Sequence, residues 1–236
     1  HVDVYVTGSN SKFLSTDILT EFRGRGDEVR VYPLSFSEYS SRYEGNFDEA
    51  LDDYLVYGGL PSILSFPTDE QKSRYLKNLF EETYLVDIIE RNNVMKEDDL
   101  RDLIHVLASS IGSLTNPNKL ENTFKSTKKS SITRDTIARY IDYLKEAFII
   151  EEALRYDIKG KKYINTPFKY YFTDTGLRNA RLNFRQIEET HLMENIIFNE
   201  LKIRGFDVDV GNVDIREKNK EEKFIRKQLE VDFIRS

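Results

Sequence analysis

Apolar and polar residues recur with two different periods along this chain, and the periods predict where it forms strands and helices. Val2, Val4 and Val6 alternate with other residues over a short run, as in a buried strand. Apolar residues between positions 13 and 22 recur at helical spacing, and residues 29–34 form a second short β-branched run. The strand–helix–strand order favours a parallel sheet in an α/β core.

Residues 98–184 have the element order of a winged helix-turn-helix. A helix over 98–111 and a short helix near 120–126 precede a third helix, for which Ser131 is the expected N-cap. Two strands at 149–156 and 169–173 follow and are joined by a basic loop, which makes them the wing. The third helix turns its apolar residues to one side: Ile137, Tyr140, Ile141, Leu144 and Phe148.

The remaining chain divides into a helical segment and a mixed one. Apolar spacing is helical from residue 46 to about residue 111, with a glycine- and proline-containing turn at 57–61. After residue 184 the pattern predicts a helix over 190–204 and strands at 206–210 and 228–234. The charged residues 216–226 between those strands predict a hairpin loop.

Composition excludes several classes of protein. The 236 residues contain no cysteine, which excludes disulfides and thiolate metal sites, and three scattered histidines suggest no ligand set. No apolar run approaches the roughly 18 residues of a membrane span, so we expect no membrane contact and a cytoplasmic protein. The net charge is −6, yet residues 119–170 carry 12 lysines and arginines against 7 acidic residues. This basic island is the one stretch suited to nucleic acid.

Several short runs occur in a fixed order and span nearly the whole chain: Thr7-Gly8-Ser9, Gly24-Arg25, Pro33-Leu34-Ser35-Phe36, Tyr57-Gly58-Gly59-Leu60-Pro61, Tyr171-Phe172-Thr173-Asp174-Thr175-Gly176-Leu177, His191-Leu192-Met193-Glu194-Asn195 and Arg226-Lys227-Gln228-Leu229-Glu230-Val231-Asp232-Phe233. Together these runs resemble a family of prokaryotic AAA-type ATPases with a C-terminal domain of unknown function.

The resemblance implies an α/β and α+β multidomain chain. Residues 1–45 would be the remnant of a P-loop AAA-type core whose first part lies upstream, and residues 46–97 a helical linker. Residues 98–184 would be the winged helix, and residues 185–236 a truncated domain resembling restriction endonucleases. The intact protein would couple binding and hydrolysis of ATP to a module that contacts DNA or a partner.

The nucleotide site is incomplete in this sequence. A phosphate-binding loop needs Gly-x-x-x-x-Gly-Lys-Ser/Thr, whereas Gly160-Lys161 is followed by Lys162 and belongs to the wing. ATP and Mg²⁺ are therefore expected in the intact protein, and this fragment alone is expected to bind neither and to be inactive.

Three residues match nucleotide-sensing positions of the family. The resemblance makes Ser9 and Asn10 sensors of the γ-phosphate, although they equally suit the N-cap of the helix that follows. Arg25 is placed like an arginine finger, with a surface ion pair to Asp27 or Glu28 as the alternative. A finger acting in trans would imply a homo-oligomer.

The third helix and the wing offer a surface for duplex DNA. Arg134 and Arg139 would face the major groove, and the loop lysines would contact phosphates. The alternative to the ATPase is a non-catalytic regulatory module that binds DNA or protein. The phosphate-contacting candidates are Lys128, Lys129, Lys161 and Lys162.

A third hypothesis is a metal-dependent nuclease. Glu230 and Asp232 are two residues apart on one strand, so their carboxylates share a face, and Glu194 could join them. The family pattern also needs Glu-x-Lys on a following strand, which this sequence does not contain, so we assign no metal ligands. Structural carboxylates are the alternative.

Overall fold

The computed structural model describes residues 29–128, 131–218 and 224–235, together with Tyr5, Thr7 and Gly8. Its first part is helical: α1 Phe36–Ser40, α2 Phe47–Tyr57, a 3₁₀ turn Pro61–Ser65, α3 Asp69–Asn78 and α4 Val86–Asn92. A π-helical turn, Leu79–Leu85, joins α3 to α4 without a break. Ser35 and Asn46 begin α1 and α2 as capping boxes, each accepting from the third helical N–H.

The strand predicted at residues 29–34 is not formed in the described structure. Val29 and Val31 are 81% and 89% exposed, and no described residue pairs with this run as a strand. The predicted neighbouring strand, residues 2–10, and the helix at 13–22 lie outside the described residues, apart from Tyr5, Thr7 and Gly8. The strand–helix–strand arrangement therefore stays a prediction.

Three helices form the middle of the chain: α5 Glu97–Ser109, α6 Pro117–Thr123 and α7 Arg134–Glu146. The prediction that Ser131 caps α7 is wrong, because the Thr133 side chain accepts from the N–H of Thr136. Ile132 before the cap and Ile137, the fourth residue of the helix, are both buried, the arrangement of a hydrophobic staple. Helix α7 therefore begins two residues later than predicted.

The second half of the chain contributes β1 Ile150–Asp157, β2 Lys162–Phe172, α8 Thr175–Arg181, α9 Glu189–Ile203, β3 Val208–Lys218 and β4 Phe224–Arg235. The strands form one sheet in the order β2-β1-β3-β4. The β1–β2 and β3–β4 pairs are antiparallel hairpins, and β1 pairs parallel with β3. The chain is therefore a mixed α/β protein, in which one sheet joins strands from two of the domains expected from sequence.

Two details of the strand prediction need correction. The backbone of residues 216–218 and 224–226 belongs to β3 and β4, so the predicted 216–226 loop is shorter than its charge suggested. Phe148 does not extend the buried face of α7: it follows the helix with φ +56° and is half-buried. Its ring instead lies under the Arg30 guanidinium, 4.9 Å from the ring centroid.

Helix α8 connects the helical part to the sheet. Its residues 175–180 are all buried, and its polar side chains bond to the open end of α2. Thr175 Oγ1 donates to the carbonyl of Tyr54, and Asn179 Nδ2 donates to the carbonyls of Leu55 and Val56. Since the last carbonyls of a helix lack partners in the next turn, α8 supplies donors to three carbonyls at the end of α2.

Asp174 fixes this connection from the other side. Its Oδ2 accepts from the N–H of Gly59 at 2.8 Å, and its Oδ1 accepts from the N–H of Leu177 at 2.9 Å as the N-cap of α8. Burial raises the pKa of Asp174 to about 6, although the backbone N–H groups around it act to lower the pKa. The glycine turn after α2 and the start of α8 are thus held by one carboxylate.

Candidate functional site

The nucleotide-site residues lie outside the described part of the chain. These residues are Ser9, Asn10 and Arg25. Lys129, a candidate for contact with DNA phosphates, also lies outside the described residues. The side chain of Lys128 is likewise outside the described atoms, although its backbone ends the π-helical turn Phe124–Lys128. The roles assigned to these five residues stay predictions.

The exposed face of α7 carries polar and basic side chains near its N-terminus. Arg134 is exposed and pairs with Asp135 at 3.1 Å. Arg139 is exposed and donates to Thr136 Oγ1 at 3.4 Å. Because the two arginines are five residues apart, they lie roughly 140° from each other around the helix axis. The structure therefore places both on the surface but not along one line.

Arg139 borders a cavity between α7 and the α4–α5 connection. The cavity has a volume of about 300 Å³ and is lined by Thr136 and Tyr143 on one side and by Lys96 and Asp99 on the other. Met95, also in its lining, is 92% exposed. This side of α7 is consequently concave, with both apolar and charged walls.

The tip of the β1–β2 hairpin is built by Asp157, whose Oδ1 accepts from the N–H groups of Lys159 and Gly160. Lys161 adopts φ +50° in the turn, and both Lys161 and Lys162 are exposed. Strand β3 supports the tip, because Ile158 donates its N–H to the carbonyl of Asn212. Among the described residues, no hydrogen bond or ion pair involves the side chain of Lys161 or Lys162, so both ammonium groups can bind an anion.

The basic island is less basic at the surface than in the sequence. Arg155 is 5% exposed and donates from Nη2 to Asn212 Oδ1 at 2.9 Å. Lys169 is 3% exposed and also points inside. Two of the twelve basic residues thus serve the interior. Helix α7 has as many acidic as basic residues, whereas three lysines against Asp157 leave an excess of positive charge at the hairpin tip: Lys159, Lys161 and Lys162.

The three carboxylates of the nuclease hypothesis do converge, but on a lysine that sequence reasoning missed. Lys169 Nζ lies 2.8 Å from Glu194 Oε1, 2.7 Å from Glu230 Oε1 and 3.7 Å from Asp232 Oδ1. Burial acts to lower the pKa of Lys169, yet its bonds to Glu194 and Glu230 outweigh burial, and the pKa is raised. The ammonium therefore stays charged.

A divalent metal ion does not fit this arrangement. Such an ion binds carboxylate oxygens at about 2.0–2.6 Å, and the Lys169 ammonium already contacts two of the three carboxylates. Among residues 29–128, 131–218 and 224–235 no group of three His, Asp or Glu side chains has the geometry of a metal site. The chemistry that these side chains support directly is an ion-pair cluster.

The same helix attaches to β2 through the residue after Glu194. Asn195 Oδ1 accepts from the N–H of Phe172, and its Nδ2 donates to the Phe172 carbonyl, at 2.8 and 2.7 Å. Tyr171 donates to Glu194 Oε1 at 2.6 Å, and burial together with this bond raises the pKa of Tyr171. Alternation along β2 would have placed Lys169 and Tyr171 on one face, but nothing in the sequence indicated that Glu194 faces them.

The fold and these contacts define a mixed α/β protein in which a helical part, a helix–helix–hairpin unit and a C-terminal hairpin share one core. Comparison with protein families gives its membership. Residues 48–188 match the family described as Domain of unknown function (DUF8612), and residues 1–40 match an AAA domain. Because the first match covers more than half of the chain, the chain belongs to that family.

Two curated relatives extend along nearly all of the chain. An uncharacterized protein of Haemophilus influenzae is 36% identical over 222 residues, which are 92% of this chain and 55% of that protein. An uncharacterized protein of Methanocaldococcus jannaschii is 26% identical over 235 residues, with 94% and 52% covered. The chain thus spans about half the length of the curated relatives it matches. No solved structure matches it.

In the described part of the chain, none of the helices is both long enough and apolar enough to cross a membrane.

Proposed function

We propose that this chain is part of an AAA-type ATPase that binds duplex DNA through a winged helix-turn-helix. The observation that carries the proposal is the arrangement of α5–α7 with β1 and β2. Thr115, between α5 and α6, forms an isolated β-bridge with Phe168 of β2, so the α5–α6 connection pairs with the hairpin at one position. The order helix, bridging residue, helix, helix and hairpin supports the winged-helix proposal.

The proposed DNA contacts follow from which groups are exposed. Helix α7 buries Ile137, Tyr140, Ile141 and Leu144 on one face and leaves its N-terminal polar face open. In helix-turn-helix proteins the N-terminal residues of the second helix of the pair, which corresponds to α7 here, reach base edges in the major groove. Arg134 and Arg139 would act there, while Lys161 and Lys162 at the hairpin tip would bind phosphates.

The ATPase part of the proposal depends on the AAA domain match at residues 1–40. ATP and Mg²⁺ would bind in the full-length protein, Ser9 and Asn10 would sense the γ-phosphate, and Arg25 would neutralise charge on the phosphoryl oxygens. Leu34 and Phe36 lie near the end of the matched residues, and both bond to the rest of the chain. Leu34 donates to the carbonyl of Gly59, and Phe36 donates its N–H to Glu200 Oε1. Movements of the nucleotide part would therefore reach α2 and α9 directly.

Binding of a fluorescent DNA duplex at several salt concentrations tests the DNA proposal. The logarithm of the affinity should fall linearly with the logarithm of salt concentration, with a slope near −0.9 for each phosphate contacted. We expect Arg134→Gln/Arg139→Gln to weaken binding about tenfold or more. Lys161→Gln/Lys162→Gln should also reduce the salt slope, since it removes phosphate contacts.

The matched control is Arg42→Gln/Arg185→Gln. These arginines are exposed and follow α1 and α8. Their replacement lowers the net charge by two units, as Arg134→Gln/Arg139→Gln does. If the control variant weakens DNA binding as much as the α7 variant does, binding follows total charge, and the assigned surface is wrong.

A protein-binding regulatory module is the second candidate, and the cavity beside Arg139 favours it. Its walls combine Tyr143 and exposed Met95 with Lys96 and Asp99, a mixture suited to a peptide. If duplex DNA fails to bind at low salt, this candidate replaces the DNA proposal.

Light scattering of the full-length protein with ATP would show whether the protein forms a homo-oligomer, which an arginine finger acting in trans requires.

A further inference from the structure

Three acidic side chains from two elements surround a single lysine in the interior of the sheet. Lys169 belongs to β2, Glu194 to α9, and Glu230 and Asp232 to β4. The Lys169 side chain is 4% exposed, against 16% for Glu194 and 34% for Glu230. Asp232 is 66% exposed and farther away. The cluster is thus closed at Glu194 and open to solvent at Asp232.

Lys169 connects strands that are not neighbours. Strands β1 and β3 lie between β2 and β4 in the sheet, yet Lys169 Nζ is 2.7 Å from Glu230 Oε1. The sheet must therefore curve, so that Lys169 of β2 and Glu230 of β4 meet across its concave face. An ammonium group is therefore placed at the centre of this face by the fold itself.

One oxygen of the Glu194 carboxylate is shared by two donors. Its Oε1 accepts from both Lys169 Nζ and Tyr171 OH, at 2.8 and 2.6 Å. Behind the carboxylate is Gly112, with φ +71°, where an added Cβ would lie 3.1 Å from both oxygens. Tyr171 thus holds the carboxylate in the position that suits Lys169, and the absence of a side chain at Gly112 leaves room for it.

We infer that Lys169 is a built-in cation that takes the place of a divalent metal ion among Glu194, Glu230 and Asp232. The cluster then joins β2, α9 and β4 instead of activating water. A second cation bound to the same oxygens would be repelled by the ammonium at close range. The carboxylates predicted for a nuclease serve the fold, and the inference is independent of the proposed DNA interface.

Manganese binding to a neutral variant tests this inference. Lys169→Met keeps an unbranched side chain but removes the charge, which leaves three carboxylates without their counter-ion. We expect this variant to bind Mn²⁺ in titration calorimetry and to gain several degrees in melting temperature with Mn²⁺. The wild-type protein should show neither effect.

Two further variants identify where the metal binds. Lys169→Met/Glu230→Gln should lose the Mn²⁺ response, whereas the control Lys125→Met, which neutralises an exposed lysine paired with Glu121, should respond to Mn²⁺ as wild type does. If Lys169→Met is folded but binds no Mn²⁺, or if wild type binds Mn²⁺ in a manner abolished by Glu230→Gln, the inference is overturned.

The wild-type protein decides the matter if Lys169→Met does not fold. Mn²⁺ broadens NMR signals of nuclei close to it, so the amide signals of Gly112 and Tyr171 report on the cluster. Unchanged signals at millimolar Mn²⁺ would support exclusion of metal by Lys169. Broadening centred on these two residues would contradict it.

Discussion

Asp174 is a residue whose chemistry cannot be replaced by a similar side chain. Its two oxygens accept from the backbone N–H groups of Gly59 and Leu177. In Asp174→Asn, one oxygen becomes an NH₂ group that faces an N–H donor. Because a buried donor is then left unsatisfied, we expect a loss of about 3 kcal/mol in the free energy of unfolding. Urea denaturation measures the loss, and the exposed Asp142→Asn, on α7, should change stability by less than about 0.5 kcal/mol.

The protonation of Asp174 makes a second, independent prediction. Its pKa is about 6 in the folded protein against 3.8 for the unperturbed group, so between these values the folded state binds more protons than the unfolded state. The Asp174 contribution to stability is therefore fully present below pH 3.8 and is lost as pH rises through 6. NMR titration of the Asp174 carboxyl carbon should give a midpoint near 6. A midpoint below 4 would show that the N–H bonds outweigh burial.

At the scale of elements, the contact between α2 and α8 depends on the absence of a side chain at Gly176. An added Cβ would overlap the Tyr57 carbonyl oxygen, and neither backbone can move without breaking the bonds made by Thr175 and Asn179. We expect Gly176→Ala to lower the free energy of unfolding by about 4 kcal/mol or more.

Gly205→Ala is the matched control for that prediction. Gly205 has φ +80° but no atom within 4 Å of an added Cβ, so its cost is backbone strain alone, about 1 kcal/mol. Thermal or chemical unfolding of the two variants should differ accordingly. Equal losses would mean that backbone conformation, and not the α2–α8 contact, accounts for the effect of Gly176→Ala.

The elements that sequence predicted well share long apolar periodicity. Helices α5, α7 and α9 begin and end within a few residues of their predicted bounds, because three or more turns of apolar spacing define a helix face. The β3–β4 extension could not be found this way. Residues 216–218 and 224–226 are mostly charged, and backbone pairing between two strands requires no apolar pattern.

The candidate sites were predictable only in part. Residue type alone assigned Lys169 and Arg155 to a solvated basic surface, since lysine and arginine are seldom buried. Their burial depends on contacts with Glu194, Glu230 and Asn212, which are distant in sequence. Alternation placed Glu230 and Asp232 on one face, but only the three-dimensional arrangement shows which cation they meet.

At the scale of the whole molecule, residues 30–36 bond to three separate parts of the fold. Arg30 forms an ion pair with Glu151 of β1 at 2.5 Å, and Leu34 accepts from the Tyr54 hydroxyl of α2 at 2.7 Å. Phe36 donates its N–H to Glu200 of α9, also at 2.7 Å. This segment belongs to the AAA-matching residues 1–40 and contacts β1, α2 and α9 within seven residues, so it is well placed to transmit a change between them.

Glu200→Ala in the full-length protein tests that transmission. It removes the acceptor for the Phe36 N–H and leaves the residues of the proposed nucleotide and DNA sites untouched, so each site alone should keep its affinity. We expect the ratio of duplex affinities measured with and without ATP to move toward one by about fivefold or more, because coupling between two sites is a free energy carried by the contacts that link them.

The controls are two variants that keep the acceptor for the Phe36 N–H. Glu200→Gln keeps an oxygen for Phe36 and should preserve the ratio. Arg204→Ala removes the other partner of Glu200 and should preserve it as well. If Glu200→Ala and Arg204→Ala behave alike, the contact with Phe36 carries no coupling, and the path through Arg30 and Glu151 is the one left to examine.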